Sequence, residues 1–192
     1  MSKLKVLVVD EFDSDRLLES ALRRHDCEVA TLKLKALDIL TIVQTLQPDV
    51  VLLNVYTPSD AVLKTIIDIN QDYSLPVVIF AEDQQTDTID KVIKAGVSAY
   101  IVDGLEPKRI KSIVDIAIAR FKEQQALKDE LKKTKSQLED RKLIDRAKAL
   151  LIKSQGYNED QAYHALRKLA MDRNIAIGEM AKNVIAMAEL LK

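Results

Sequence analysis

Four polar side chains in the first 103 residues stand where apolar runs end, and their types limit the chemistry available. Asp10 and Glu11 follow the run KVLVV, Asn54 ends the run DVVLLN, and Asp103 follows the run AYIV. If these runs are parallel strands, their carboxyl ends share one edge of a sheet, so the three carboxylates could converge on a divalent cation. The simpler interpretation, which we favour, is a solvated acidic rim that holds neither a metal nor a cofactor.

Side chains for enzymatic chemistry are not grouped in the sequence. The two histidines, His25 and His164, fall in different predicted domains, and no nucleophile is paired with a base. Cys27 is the single cysteine, which excludes a disulfide or a cysteine-based metal site within one chain. We therefore expect no catalytic residues and a protein that is not an enzyme.

The first 120 residues have the pattern of a doubly wound α/β domain. Their apolar runs are continuous rather than alternating, which predicts a five-stranded parallel sheet buried on both faces, as in flavodoxin-like folds. The predicted strands are 5–9, 27–32, 49–54, 76–80 and 99–102. Amphipathic helices are predicted near 14–25, 36–46, 60–71, 86–95 and 106–120.

A long helix follows this domain. No Gly or Pro occurs between Asp115 and Gly156, which predicts a continuous helix of about 40 residues, roughly 60 Å long. A heptad seam lies along it, at Leu127, Leu131, Thr134 and Leu138, with Ala117 upstream and Arg141 downstream. We expect residues 121–137 to be a coiled-coil linker that pairs two copies of the chain, although a solvated helix between domains explains the pattern equally well.

The remaining residues, 138–192, predict a small three-helix bundle. Gly156 is expected to end the long helix, and Asn158 with Gln161 resembles a capping box that opens the next helix. The apolar faces of the three helices comprise Leu143, Ala147, Leu150 and Leu151; Ala162, Leu166, Leu169 and Ala170; and Ile177, Met180, Ala181, Val184, Ile185 and Ala188. Such a bundle is too small for a deep catalytic pocket.

Charge is distributed unevenly along the chain. Residues 1–120 carry 14 Lys+Arg against 19 Asp+Glu, a balance of −5, and residues 121–192 carry 15 against 11, a balance of +4. A nucleic acid would therefore bind more readily to the second part. No apolar run approaches the roughly 20 residues of a membrane helix, and we expect a cytoplasmic protein without membrane contact.

Four segments in the first domain, VLVVDEFDSDR, PDVVLLNVYTP, LPVVIFAED and GVSAYIVDG, resemble the receiver domain of bacterial response regulators over about 120 residues. In that family an acidic pair holds Mg²⁺, a strand-3 aspartate accepts a phosphoryl group, and a Thr/Ser and a Lys respond to it. The resemblance places Asp10 and Glu11 at the acidic pair, Asn54 at the acceptor, Ala81 at the hydroxyl position and Asp103 at the lysine position. An amide cannot form the acyl phosphate, so the resemblance implies a degenerate pocket.

A receiver without phosphoryl chemistry can still bind a partner protein and change state when the partner leaves. We expect strand 5 and the following helix to supply that surface, because they lead directly into the long helix. Tyr100, Ile110, Ile113 and Ala117 would form its pairing side, or else the ordinary core of the domain.

Residues 138–191 resemble the ANTAR domain, a three-helix RNA-binding antiterminator module. The segment RAKALL matches except that Ala149 replaces a glycine, and AYHALRKLAMDRN matches closely. The resemblance implies contacts to RNA phosphates and unstacked loop bases, although each side chain could equally be a solvated charge or part of the core. The candidate RNA-binding residues are Arg146, Lys148, Lys153, Tyr163, Arg167, Lys168 and Arg173.

A receiver joined to an ANTAR domain is similar to the nitrate/nitrite-responsive antiterminators of the NasT type and to the related AmiR-type regulators. That resemblance implies a homodimer that binds tandem hairpins in leader RNA of nitrate/nitrite assimilation genes. It also implies control by a periplasmic-binding-like nitrate/nitrite sensor protein. Two alternatives remain open, a DNA-binding response regulator and a protein-interaction scaffold.

Overall fold

The computed structural model describes residues 3–12, 17–34 and 39–190. The chain divides into two compact units, residues 1–125 and residues 126–192. Within the described ranges, no helix is both long and apolar enough to cross a membrane. The domain limits expected from the sequence, 1–120, 121–137 and 138–192, remain a prediction.

The first unit is an α/β domain with a five-stranded parallel sheet in the order β2-β1-β3-β4-β5. The strands are β1 Lys5–Asp10, β2 Glu28–Lys33, β3 Val50–Val55, β4 Val77–Ala81 and β5 Ala99–Val102. The helices between them are α1 Leu17–Arg23, α2 Ile39–Leu46, α3 Asp60–Asp68, continued by a π-helical turn Ile69–Tyr73, and α4 Thr86–Lys94. The predicted doubly wound fold is confirmed, and the predicted beginnings of α1 and α2 lie outside the described residues.

Alternate side chains of each central strand pack on opposite faces of the sheet, as the continuous apolar runs predict. Leu7 and Val9 pack with α2, α3 and α4, whereas Val6 and Val8 pack with α1 and the next helix, α5 (Pro107–Gln155). Strand β4 is buried along its whole length, while the edge strand β5 is half-buried. This arrangement places all strand carboxyl ends along one edge, where the candidate pocket lies.

Helix α5 has 49 residues and joins two predicted elements in one helix, the helix near 106–120 and the long helix of about 40 residues that follows Asp115. The predicted end of the helix at Gly156 is confirmed. The φ of Gly156 is 69°, a left-handed conformation that glycine adopts readily because it has no Cβ, and its N–H donates to Ile152 O at 3.1 Å. The capping box is also present. Gln161 N–H donates to Asn158 Oδ1 at 2.8 Å, and Asn158 N–H donates to Gln161 Oε1 at 3.0 Å.

The second unit closes a small apolar core between α5, α6 (Glu159–Asp172) and α7 (Ile177–Leu190). Its buried members are Ala147, Leu166, Ala170, Met180, Ala181 and Ile185. One predicted member is wrong, because Leu169 is 39% exposed and lies at the margin of the buried stripe of α6. At Gly178 an added Cβ would lie 2.2 Å from Asp140 Oδ1 and 3.1 Å from Asp140 Cβ, so a side chain there would require the exposed Asp140 side chain to move.

The predicted seam divides into a buried end and an exposed part. Ala117 is buried in the core of the first unit together with Ile110 and Val114, so its assignment to a dimer surface is corrected. Leu127, Leu131 and Leu138 remain exposed, because none of the described helices and strands covers this stretch of α5.

Candidate functional site

Asp10 and Asn54 are neighbours because β1 and β3 pair in a register that sets their Cα atoms opposite each other. The Asn54 amide donates from Nδ2 to Asp10 Oδ1 at 3.0 Å, and the Phe12 N–H donates to the same oxygen at 2.9 Å. Both side chains are half-buried. The position expected for a reactive carboxylate therefore holds an amide that is bonded to the acidic pair.

Glu11 forms two hydrogen bonds at the same edge of the sheet. Its N–H donates to Asn54 O at 2.9 Å, and its Oε2 accepts from the Tyr56 N–H at 2.9 Å. The carboxylate of Glu11 thus holds the loop after β3, and it points to a different partner from that of Asp10.

Asp103 sits in a tight turn after β5. Its φ is 48°, its N–H donates to Ala81 O at 3.2 Å, and its Oδ2 accepts from Gln84 Nε2 at 2.7 Å. Gly104 is required next, since an added Cβ would lie 2.2 Å from Ile101 Cγ2. An acidic side chain bonded to the β4–α4 loop consequently occupies the position where the receiver pattern has a lysine.

These residues border a shallow cleft of about 370 Å³ lined by Asn54, Phe80, Ala81, Glu82 and Asp103, among others. No Lys or Arg is among its lining residues in the part of the chain that is described. Within residues 3–12, 17–34 and 39–190, no three His, Cys, Asp or Glu side chains are placed to hold a metal ion. The convergence of three carboxylates, which was the alternative to a solvated rim, is not formed among these residues, because Asp10, Glu11 and Asp103 each bind a different partner.

The β4–α4 loop has a second set of bonds that the sequence analysis missed. The Tyr100 hydroxyl donates to Asp83 O at 2.8 Å. The Asp83 carboxylate accepts from the Gln85 N–H at 2.8 Å and from Thr88 Oγ1 at 2.9 Å. These two donors, the Gln85 N–H foremost, lower the pKa of Asp83, and burial raises the pKa of Tyr100. An aspartate shortly before a helix start is the sequence signal for such a turn, because its carboxylate can accept from the backbone N–H two residues on.

In the second unit, two of the candidate RNA-binding cations are engaged within the protein. Lys148 Nζ lies 2.8 Å from Asp145 Oδ1 and 2.9 Å from Glu159 Oε1, and its side chain is only 15% exposed. The hydrogen bonds to Asp145 and Glu159 raise the pKa of Lys148. Arg146 Nη2 lies 2.7 Å from Glu189 Oε1. Lys148 therefore links α5 to the first residue of α6, and Arg146 links α5 to α7.

The other candidates are more accessible. Lys153, Arg167, Lys168 and Arg173 are exposed, and none of them forms an ion pair with another described residue. Tyr163 is 41% exposed and therefore does not fill the core. Contact between any of these side chains and RNA stays a prediction.

Comparison with known families assigns each of the two units to a domain family. The model of the response regulator receiver domain matches residues 6–115, and the model of the ANTAR domain matches residues 132–185. The chain is a response regulator of the receiver–ANTAR family. Receiver and ANTAR domains make up an antiterminator-type regulator and not an enzyme, as expected from the sequence.

Two curated relatives agree with this assignment. The regulator is 30% identical over 139 residues to the transcriptional regulatory protein PdtaR of Mycobacterium tuberculosis, covering 72% of this chain and 68% of the relative. It is 36% identical over 88 residues to the nitrate regulatory protein of Klebsiella oxytoca, and this match covers 46% of this chain but only 22% of that relative.

Solved structures match the receiver fold. The chemotaxis response regulator CheY4 of Vibrio cholerae aligns with a TM-score of 0.53 at 17% identity, over 60% of this chain and 99% of that one. The receiver domain of a modulated diguanylate cyclase from Desulfovibrio desulfuricans aligns with a TM-score of 0.56 at 15% identity, over 64% and 99%. At these identities the likeness establishes the fold alone.

Proposed function

We propose that the regulator is a cytoplasmic transcription antitermination protein that binds tandem hairpins in leader RNA as a homodimer. The ANTAR match over residues 132–185 is the observation that carries this proposal. The balance of +4 over residues 121–192 suits a polyanionic ligand. Binding would keep the RNA from folding into a terminator.

Control is independent of aspartyl phosphorylation in this proposal. The acceptor position holds Asn54, whose amide already donates to Asp10 at 3.0 Å, and an amide nitrogen forms no acyl phosphate. Ala81 offers no hydroxyl to a phosphoryl oxygen, and the carboxylates of Glu82 and Asp103 line the cleft that a phosphate would enter. In this proposal the receiver domain serves as a binding surface for a partner, and a sensor protein supplies the regulatory signal.

The proposal for the target genes is supported by one relative, and the proposal for the sensor by the NasT-type resemblance. The Klebsiella oxytoca relative is named a nitrate regulatory protein, which supports nitrate/nitrite assimilation genes as targets. A periplasmic-binding-like nitrate/nitrite sensor that sequesters the regulator is the partner that the NasT-type resemblance implies. Co-purification of the tagged regulator from its host, with and without nitrate, tests this: we expect the sensor in the nitrate-free sample and leader RNA in the nitrate-grown one. The same sensor recovery under both conditions contradicts nitrate control.

Self-association is assigned to the exposed part of the α5 seam. Leu127, Leu131 and Leu138 are 60%, 55% and 54% exposed at spacings of four and seven residues, as in a heptad seam that lacks its partner helix. Sedimentation equilibrium of Leu131→Glu/Leu138→Glu is expected to show a monomer where the wild type shows a dimer. Lys133→Glu, an exposed change off the seam, is the matched control and should leave the dimer intact.

RNA binding is tested by selection followed by gel shift. A pool of RNAs with two tandem hairpins and randomised loops is incubated with the wild-type regulator, and the enriched RNA is then used as the probe. We expect binding to this RNA and none to duplex DNA of the same sequence. Failure to enrich any hairpin, or preferential binding to the duplex, contradicts the proposal and favours the DNA-binding alternative.

Phosphorylation independence has its own test. Acetyl phosphate or beryllofluoride with Mg²⁺ should change neither the sedimentation coefficient nor the RNA affinity of the wild-type protein. A response of either quantity that disappears on chelating Mg²⁺ contradicts this part of the proposal.

A further inference from the structure

The β4–α4 loop, residues 82–85, has neighbours on both sides because β4 lies between β3 and β5 in the sheet. Toward β3, the N–H groups of Glu82 and Asp83 both donate to Tyr56 O at 3.2 Å. That distance is at the long end of the usual range, and one carbonyl is shared by two donors, so these bonds hold the loop weakly. A firmer attachment has to come from the β5 side.

Two hydrogen bonds reach the loop from the β5 side, at consecutive loop residues. The Tyr100 hydroxyl donates to Asp83 O at 2.8 Å. Gln84 Nε2 donates to Asp103 Oδ2 at 2.7 Å. Hydrogen bonds to a carboxylate are shorter and stronger than those between neutral groups. We call the bond between Gln84 and Asp103 the strap.

The turn after β5 fixes the acceptor end of the strap. Asp103 has a φ of 48°, a left-handed conformation that aspartate adopts more readily than most residues. Its N–H donates to Ala81 O at 3.2 Å, and the Glu106 N–H donates to Gly104 O at 2.7 Å in the same turn. Asp103 is therefore held by the last residue of β4, the strand from which the loop departs.

The loop transmits this restraint to the start of α4. The Asp83 carboxylate accepts from the Gln85 N–H at 2.8 Å and from Thr88 Oγ1, in the first turn of α4, at 2.9 Å. Asp83 is thus bonded to β5 through its carbonyl and to α4 through its side chain. Fixing the loop to β5 consequently fixes the beginning of α4 as well.

The strap also joins two shallow clefts at the edge of the sheet. Gln84 lines a cleft of about 400 Å³ beside Tyr56, and Asp103 lines the cleft of about 370 Å³ beside Asn54. Glu82 borders both clefts. Donor and acceptor of the strap belong to the chain itself, so the bond is complete without a bound phosphate or cation.

We propose that the strap, together with the bond from Tyr100 to Asp83, fixes the β4–α4 loop and the first turn of α4 to β5 in every state of the receiver unit. This inference rests on the proposed phosphorylation-independent control and adds the groups that hold the loop in place of a phosphoryl group. Asp103 is then a positioning residue at the place where the receiver pattern has a lysine. A signal reaches the regulator through association and release of a partner, and the loop keeps one arrangement throughout.

NMR of the full-length regulator tests the strap through amide exchange and relaxation dispersion, which report opening of the loop and its motion on the μs–ms timescale. The wild type is expected to give flat dispersion profiles at Glu82, Asp83 and Gln85 and across residues 86–90. Gln84→Ala removes the donor of the strap. It should speed exchange of the three loop amides about 2- to 10-fold and introduce dispersion there.

Variants at the acceptor end separate the strap from a general loss of packing. Asp103→Gly removes the acceptor and tolerates the φ of 48°, so it should act as Gln84→Ala does. Asp103→Asn keeps a side-chain oxygen and should behave as the wild type does. The double variant Gln84→Ala/Asp103→Gly should exchange no faster than Asp103→Gly, because both changes remove the same bond.

Gln85→Ala is the matched control. Gln85 is the exposed neighbour of Gln84, and its side chain forms no capping hydrogen bond to α4. The exchange rates and dispersion profiles of the loop should therefore be those of the wild type.

The outcomes distinguish the inference from the function on which it rests. Beryllofluoride with Mg²⁺ that shifts the loop amides of the wild type overturns both. Without such a shift, unchanged exchange and dispersion in Gln84→Ala and Asp103→Gly overturns the inference alone. Dispersion across the loop of the wild type also overturns it, because the loop then moves with the strap intact. Faster loop exchange in the two strap variants, with Asp103→Asn and Gln85→Ala like the wild type, supports it.

Discussion

Replacing Asn54 by aspartate restores the acceptor carboxylate of a receiver, and the structure predicts that this change destabilises the protein in a pH-dependent way. The side chain of Asn54 now donates to Asp10 Oδ1 at 3.0 Å. In Asn54→Asp a carboxylate faces a carboxylate at the same half-buried place. A favourable hydrogen bond becomes a like-charge contact, unless the introduced carboxyl keeps a proton.

Two estimates bound the loss of stability expected in Asn54→Asp. Two like charges about 4 Å apart at an effective dielectric constant of about 20 repel by about 4 kcal/mol. Keeping a proton on a carboxyl of ordinary pKa, about 3.9, costs about 4 kcal/mol at pH 7 but only about 1.5 kcal/mol at pH 5. With relaxation at this partly exposed site, we expect a loss of about 2–4 kcal/mol at pH 7 and at most about 1.5 kcal/mol at pH 5.

The sign of the pH dependence follows from the linkage between proton binding and folding. The contact with Asp10 raises the pKa of the introduced carboxyl above its unfolded value, so the folded state binds the extra proton. Stability relative to wild type is therefore highest at acidic pH and is lost as pH rises through the raised pKa. Mg²⁺ should recover part of the loss at pH 7, since a cation between two carboxylates offsets their repulsion.

Urea unfolding at pH 5 and pH 7, with hydrogen exchange of β1 and β3 to assign the transition to the receiver unit, measures the effect. Asn54→Ala is the matched control: it removes the same hydrogen bond without adding charge, so its loss should be equal at both pH values. Asp10→Asn/Asn54→Asp exchanges amide and carboxylate and should return to within about 1 kcal/mol of wild type. An Asn54→Asp loss that is the same at pH 5 and pH 7 refutes the reasoning.

Three further predictions concern bonds that hold loops and helix ends. Tyr100→Phe removes the hydroxyl that donates to Asp83 O; it should cost about 1 kcal/mol in urea unfolding and speed amide exchange across residues 82–85. Thr88→Val removes a donor that lowers the pKa of Asp83 from 3.8, so the variant should be less stable than wild type at pH 7. This difference in stability should vanish as the pH falls through the lowered pKa of Asp83, and a difference that stays constant with pH contradicts the prediction. Asn158→Ala should cost about 1 kcal/mol in the thermal unfolding of the second unit, and Asn158→Asp, which can still cap the Gln161 N–H, should restore it.

Much of the fold could be predicted because its signals are local. Continuous apolar runs predict a sheet buried on both faces, and β1, β3 and β4 are buried in this way. Gly156 and the Asn158–Gln161 pair predict one helix end and one helix start, and both are confirmed by backbone geometry and hydrogen bonds. Errors occur at margins, such as Leu169, where a shift of one helical position decides between core and solvent.

The candidate site was less predictable, because its contacts join residues that are distant in sequence. The types at Asn54, Ala81 and Asp103 can be read from the sequence and indicate a pocket unsuited to phosphoryl transfer. The bond of Asn54 to Asp10 spans 44 residues, and it depends on the register between β1 and β3. Tyr100 and Asp83 are likewise brought together only by the return of β5 beside β4.

The sequence by itself determined the residue types: an amide at the acceptor position, an apolar seam at heptad spacing, and cations in two rear helices. Tertiary structure decided which of these side chains are available. Ala117 belongs to the seam by spacing, but it is buried in the receiver core. Lys148 and Arg167 are equal cations in the sequence, yet Lys148 lies between Asp145 and Glu159 while Arg167 is exposed. The physical reason is that composition and period act along one chain segment, whereas burial and ion pairing depend on which other segment packs beside it.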